Sequence, residues 1–75
     1  MNHLRAARQA RGLSLRDLGD LVGVSGETVR LWELGRTRPY RANGRRLALA
    51  LGDDLDHLLA PTPTNDGDGP KTIAA

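Results

Sequence analysis

Seventy-five residues with ten Arg, one Lys, no Cys and no Phe leave room for one small domain without a second core. Zero Cys excludes a disulfide framework and a thiolate metal site and fits a reducing cytoplasm, where the protein is expected. No run approaches the roughly 18 apolar residues of a membrane span, and the N-terminus has a positive start but no apolar segment of a signal peptide. Charge is unevenly divided: residues 1–60 carry ten Arg against seven Asp and Glu, and residues 61–75 carry Lys71 against Asp66 and Asp68.

In chain order, Asn2 to Arg11 reads as a first helix, capped by Asn2, with Leu4, Ala7 and Arg11 on one face. Gly12 is placed to end it, and Leu13 to make the apolar contact that accompanies such a stop. Ser14 caps a second helix, with Asp17 as capping-box partner. Leu15, Leu18, Leu21 and Val22 are its expected core stripe. Gly19, in the middle of that helix, costs about 1 kcal/mol relative to Ala, so it predicts a close approach by another helix, which a side chain would obstruct. Gly23 ends the second helix, Val24 plugs the core at the turn, and Ser25 caps a third helix over Gly26 to Leu34. Val29, Trp32 and Glu33 lie on one side of it, with Glu27, Arg30, Leu31 and Leu34 around the other. Gly35 stops it, and Arg36-Thr37-Arg38-Pro39 is a basic loop in which Pro39 prevents helical continuation.

Asn43 is the expected cap of a fourth helix, which turns Leu47, Ala50 and Leu51 inward and ends at Gly52. Asp54 caps a short fifth helix whose Leu55, Leu58 and Leu59 close the core. Beyond Ala60 the sequence PTPTNDGDGPKTIAA lacks apolar periodicity, so residues 61–75 are expected to form a disordered tail, a candidate arm for a protein partner. The fold expected of residues 1–60 is all-α, a compact five-helix bundle.

The stretch VGVSGETVRLWE breaks one helical pattern at Gly23 and restarts another at Ser25, forcing two helices to meet steeply. A tight pair whose second helix is flanked by Arg and capped by a hydroxyl is how many proteins place a helix in the DNA major groove. Arg in place of Lys suits bidentate contact with phosphates and base edges, although an Arg-rich codon bias gives the same composition. Catalytic machinery is not visible. Two His, no Cys, no Gly-rich phosphate loop after a strand and no paired carboxylates in an apolar setting give an enzyme nothing to work with. His57 beside Asp53, Asp54 and Asp56 reads as an exposed His in a cap cluster rather than a metal site, and no cofactor is expected.

From Leu4 to Pro39 the pattern L-R-x-x-R-x-x-x-G-L-S-x-x-x-L-x-x-x-V-G-V-S-x-x-T-V-x-x-W-E-x-G-R-x-x-P resembles the lambda-repressor/Cro-like helix-turn-helix proteins, the Xre family. The likeness continues through Leu47-Ala48, Ala50-Leu51-Gly52, Leu55-Asp56 and Leu58-Leu59. The resemblance implies a sequence-specific duplex-DNA-binding transcriptional regulator, a repressor of phage or plasmid type, bound to its operator as a homodimer with the third helix in the major groove. It implies base contacts at Glu27, Thr28, Arg30 and Leu31. Phosphate contacts are expected at Ser14, Arg16, Ser25, Gly26, Arg36, Thr37, Arg38 and Arg41, and an ion pair between Arg8 and Glu33. For Arg30 the alternative is a phosphate contact or pairing with Glu27 one turn away.

The sequence departs from the family pattern in four ways. Leu15 and Leu34 stand where Gln and Asn are common, Gly26 leaves the first recognition position without a side chain, Gly19 replaces a small Ala, and Gly44 stands where a Leu would help seat the fourth helix. The missing polar groups, with an exposed Leu31, also fit an antitoxin or bridging-factor-like module that uses the same fold to bind protein.

Overall fold

The computed structural model describes residues 1–61. The expected disordered tail, apart from Pro61, therefore lies outside the described residues. Five helices follow one another: α1 (Leu4–Ala10), α2 (Leu15–Val22), α3 (Gly26–Leu34), α4 (Arg41–Leu51) and α5 (Leu55–Leu59). Among the described residues there is no strand, only one isolated antiparallel bridge between Asn2 and Pro61. The protein is thus an all-α, compact five-helix bundle.

The helix ends follow from side chains close by in sequence. Ser14 Oγ accepts from the Asp17 amide at 2.9 Å, and the Asp17 carboxylate accepts from the Ser14 amide at 3.0 Å, a complete capping box for α2. Ser25 Oγ accepts from the Thr28 amide at 3.1 Å at the start of α3. Between them Gly23 takes φ +92°, a left-handed conformation with a low cost only for Gly, and the amides of Gly23 and Val24 both return to the Gly19 carbonyl. Gly19 itself is buried, and a Cβ there would lie 2.6 Å from the Val24 carbonyl oxygen. The close approach expected at Gly19 comes from the turn backbone rather than from a distant helix.

Leu4 of α1, Leu18 and Val22 of α2, Val29 and Trp32 of α3, Leu47 and Leu51 of α4, and Leu58 of α5 make one continuous core. Each such side chain contributes roughly 1.5–3 kcal/mol when fully buried. α2 packs on α3 and α4, α5 on α4, and α1 reaches α3 and α5.

Four expectations need correction. Leu21 is 59 % exposed; it precedes Val22 by about 100° of helical rotation, which carries it off the stripe. Asn2 does not cap α1 by position. His3 is the cap residue, and Asn2, buried, accepts from the Leu4 amide at 3.1 Å and donates from Nδ2 to the Trp32 carbonyl at 2.8 Å. Asn43 does not cap α4; the cap position falls three residues earlier, at Tyr40, without a side-chain cap. Arg41 makes the turn there at φ +46°, so that the Tyr40 carbonyl receives the Asn43 amide at 2.9 Å. Arg11 is exposed as a residue and does not join the core. Its guanidinium instead donates to the Leu51 carbonyl at 3.2 and 3.0 Å, which satisfies the C-terminus of α4. Gly44 is buried, and the space a larger side chain would need is filled by Leu55, whose Cδ2 would lie 2.8 Å from an added Cβ.

Candidate nucleic-acid interface

The turn at residues 23–25 sets the ends of α2 and α3 against each other. A Cβ at Gly26 would lie 3.2 Å from the Arg16 amide nitrogen and 3.3 Å from the Leu15 carbonyl carbon. Position 26 therefore faces the backbone at the start of α2, which accounts physically for the absence of a side chain there. The same closeness brings together Ser14, Arg16, Ser25 and Gly26, four residues expected at phosphates. Two helix N-termini side by side offer unsatisfied amides and two positive dipole ends to an anion.

α3 is divided between support and exposure. Val29, Trp32 and Glu33 are buried. Glu27 and Arg30 are exposed and pair with each other, Arg30 Nη1 donating to Glu27 Oε2 at 3.2 Å. Leu31 is half-buried, as is Thr28, whose Oγ1 lies 3.0 Å from Ser25 Oγ. The Thr28 hydroxyl is thus engaged in the cap and Arg30 in a surface pair. A surface pair of this kind is worth only about 0.2–1 kcal/mol, little enough for a phosphate or a base to displace.

Arg8 and Glu33 form a buried ion pair behind the exposed side of α3. Arg8 Nε donates to Glu33 Oε2 at 2.6 Å and Nη2 to Oε1 at 3.4 Å, while Nη1 donates to the Leu13 carbonyl at 2.7 Å. The two side chains are 11 % and 5 % exposed. One guanidinium thereby joins α1, the turn before α2, and α3.

The basic loop forms a separate cluster. Arg36, Thr37 and Arg38, all exposed, share a groove of about 380 Å³ with Asn2, Trp32 and Tyr40. Arg38 Nη2 lies 3.9 Å from Asp56 Oδ1, an exposed and loose pairing. Arg41 is exposed at the start of α4 and is not among the residues that line this groove.

Two carboxylates are stabilised in ionised form. The Ser14 amide first, then the Ser14 side chain, hold the Asp17 carboxyl below the usual range, with the Arg16 charge adding to it. The His57 ring first, then the Asp54 amide, do the same for Asp53. His57 Nδ1 lies 2.8 Å from Asp53 Oδ2, and its ring stacks on that of His3 with centroids 4.7 Å apart. This group closes α5 against the N-terminus. The His57–Asp53 pair lies within one helical turn, whereas the His3–His57 stack, like the links from Asn2 to Trp32 and from Arg11 to Leu51, joins residues too far apart in the chain for spacing to reveal.

Two capped helices joined by a three-residue turn, the second held by the core and exposed along one side, define a helix-turn-helix unit. A family model described as helix-turn-helix matches residues 4–58, and the chain belongs to that family, the lambda-repressor/Cro-like Xre proteins. It is a family of DNA-binding regulatory domains, not of enzymes. No curated protein and no solved structure matches the chain. Among the described residues, no helix is long and apolar enough to cross a membrane.

Proposed function

We propose that the chain is a sequence-specific transcriptional regulator, a repressor of phage or plasmid type, that binds operator duplex DNA as a homodimer with α3 in the major groove. Glu27, Thr28, Arg30 and Leu31 meet base edges. Arg30 takes guanine O6 and N7, Glu27 the cytosine N4 amine, and the Thr28 and Leu31 methyls the thymine methyl. Ser14, Arg16, Ser25 and Gly26 on one side, and Arg36, Thr37, Arg38 and Arg41 on the other, hold the sugar-phosphate strands. The observation that carries the reading is the division of α3, with one side locked by Val29, Trp32 and the Arg8–Glu33 pair and the other carrying a readily displaced Glu27–Arg30 pair. Such a helix is rigid enough to hold register and polar enough to read bases.

The test is duplex affinity over a salt series for the wild type, Arg30→Ala and Arg38→Ala. Arg38→Ala should weaken binding to every sequence alike and flatten the salt slope by roughly one phosphate contact. Arg30→Ala should weaken binding most on the preferred sequence. Affinity independent of salt sinks the reading.

A second reading, the antitoxin or bridging-factor-like module, is favoured by one observation. Leu21 and Leu49 are 59 % and 76 % exposed and, with Arg46 and Ala50, line an apolar depression between α2 and α4. Under that reading Arg30→Ala and Arg38→Ala leave DNA occupancy unchanged, while Leu21→Ser or Leu49→Ser loses partner binding.

A further inference from the structure

The depression between α2 and α4 is lined by none of the residues proposed for DNA. Leu21 and Leu49, 59 % and 76 % exposed, border its volume of about 400 Å³, and Arg46 and Ala50 complete it. Charge is sorted on its two sides. Asp20 precedes Leu21 on α2, and Arg45 lies one turn before Leu49 on α4. Both are exposed, and among the described residues neither makes a hydrogen bond or an ion pair. Arg46 is committed elsewhere. A Cβ at Gly23 would lie 3.7 Å from its Nη1, so it sits against the C-terminal end of α2, where the helix dipole favours a cation. One surface thus presents an acidic edge, an apolar seam and a basic edge, in that order.

We infer that this face is the contact between two copies of the chain, an isologous interface whose two-fold axis runs along the seam. Rotation about that axis lays α2 of one copy over α4 of the other. Each Leu49 then enters the depression of the second copy beside Leu21, and each Asp20 faces an Arg45. A second copy is the occupant because the face is complementary to itself. An acidic partner protein would oppose Asp20 and a basic one would oppose Arg45, whereas a two-fold satisfies both edges at once. One exposed leucine needs no explanation, but two bordering a single depression between opposite charges form a patch. Two short helix faces fall at the low end of stable interfaces, about 1,200 Å² in total, so a micromolar dimer is expected rather than a tight one.

The inference deepens the homodimer part of the reading above, and its test uses no DNA, so the two fail separately. The full chain is followed by sedimentation equilibrium from about 1 µM to 1 mM. The wild type should pass from monomer to dimer and stop there, since an isologous contact closes on itself. Leu49→Ser should raise the dissociation constant roughly 100-fold, because the two-fold removes the leucine twice. Asp20→Arg and Arg45→Asp should each be monomeric alone, through opposed like charges. Mixed in equal amounts they should associate, each supplying the charge that the other lacks. All three positions are exposed, so helical circular dichroism and melting should stay close to the wild type. A wild type that remains monomeric over the whole range overturns the inference. So does a dimer that Leu49→Ser leaves intact, or a mixture of the two charge reversals that fails to associate. In each of these cases the salt series above still decides duplex binding.

Discussion

Replacing Glu33 by Ala removes one partner of an ion pair whose side chains are 11 % and 5 % exposed. The guanidinium of Arg8 would keep the Leu13 carbonyl at 2.7 Å but lose both contacts to the carboxylate, at 2.6 and 3.4 Å. Breaking a buried pair from one side costs about 3–5 kcal/mol, because the remaining charge stays desolvated. The whole stability of a domain this size is of the order of 3–9 kcal/mol, so the loss removes a large part of it. In thermal terms this is a fall of ~12–40 °C, taking 4–8 °C per kcal/mol for a small domain. Urea unfolding followed by tryptophan fluorescence measures it directly, since Trp32 is the one Trp in the chain and is 3 % exposed. The double replacement Arg8→Met with Glu33→Leu should cost clearly less than the two single replacements added together, because no charge is left buried. A Glu33→Ala loss below about 1 kcal/mol, the range of a surface pair, refutes the reasoning.

Other consequences are equally direct. Gly19→Val should prevent folding, seen as loss of helical circular dichroism, because a Cβ at that position meets the Val24 carbonyl oxygen at 2.6 Å. Ser25→Ala should cost about 1 kcal/mol of stability in urea titration through loss of the α3 cap. Asp17 and Asp53 have folded-state pKa values below the ordinary carboxylate range, so their contribution is present above about pH 4 and is lost as pH falls through the folded values. Asp17→Asn should accordingly flatten the acid limb of a stability profile measured from pH 5 downward, and an unchanged acid limb would contradict the capping-box account. Arg11→Ala should lower stability by about 0.5–1.5 kcal/mol by leaving the Leu51 carbonyl to solvent, and hydrogen exchange at the end of α4 should rise with it.

What the sequence made legible was local. Ser14, Asp17 and Ser25 are caps at fixed offsets from the helices they start, and Trp32 shares a face with Val29, so their roles follow from spacing alone. The assignment went wrong where two readings share one spacing. Leu21 fits the apolar pattern of α2 as well as Leu18 does, and only the direction of the core separates them. Asn43 has the chemistry of a cap, yet Pro39 and Tyr40 bring the chain into α4 three residues earlier. Gly26 read as a missing side chain on the recognition helix, and the fold shows the start of α2 in its place. Asn2 and Arg11 lie beyond reach for a different reason. Their significance lies in partners 30 and 40 residues away, across packing that no local period encodes.

Whether α3 reads bases is decided by selection from a pool of random duplexes followed by footprinting on the enriched sequence. Base reading by α3 should give an enriched site with two-fold symmetry, half-sites about one helical turn apart, and protection of the major groove that Arg30→Ala weakens at one base pair in each half-site. Enrichment of no sequence over the starting pool, with Arg30→Ala indistinguishable from the wild type, would contradict it.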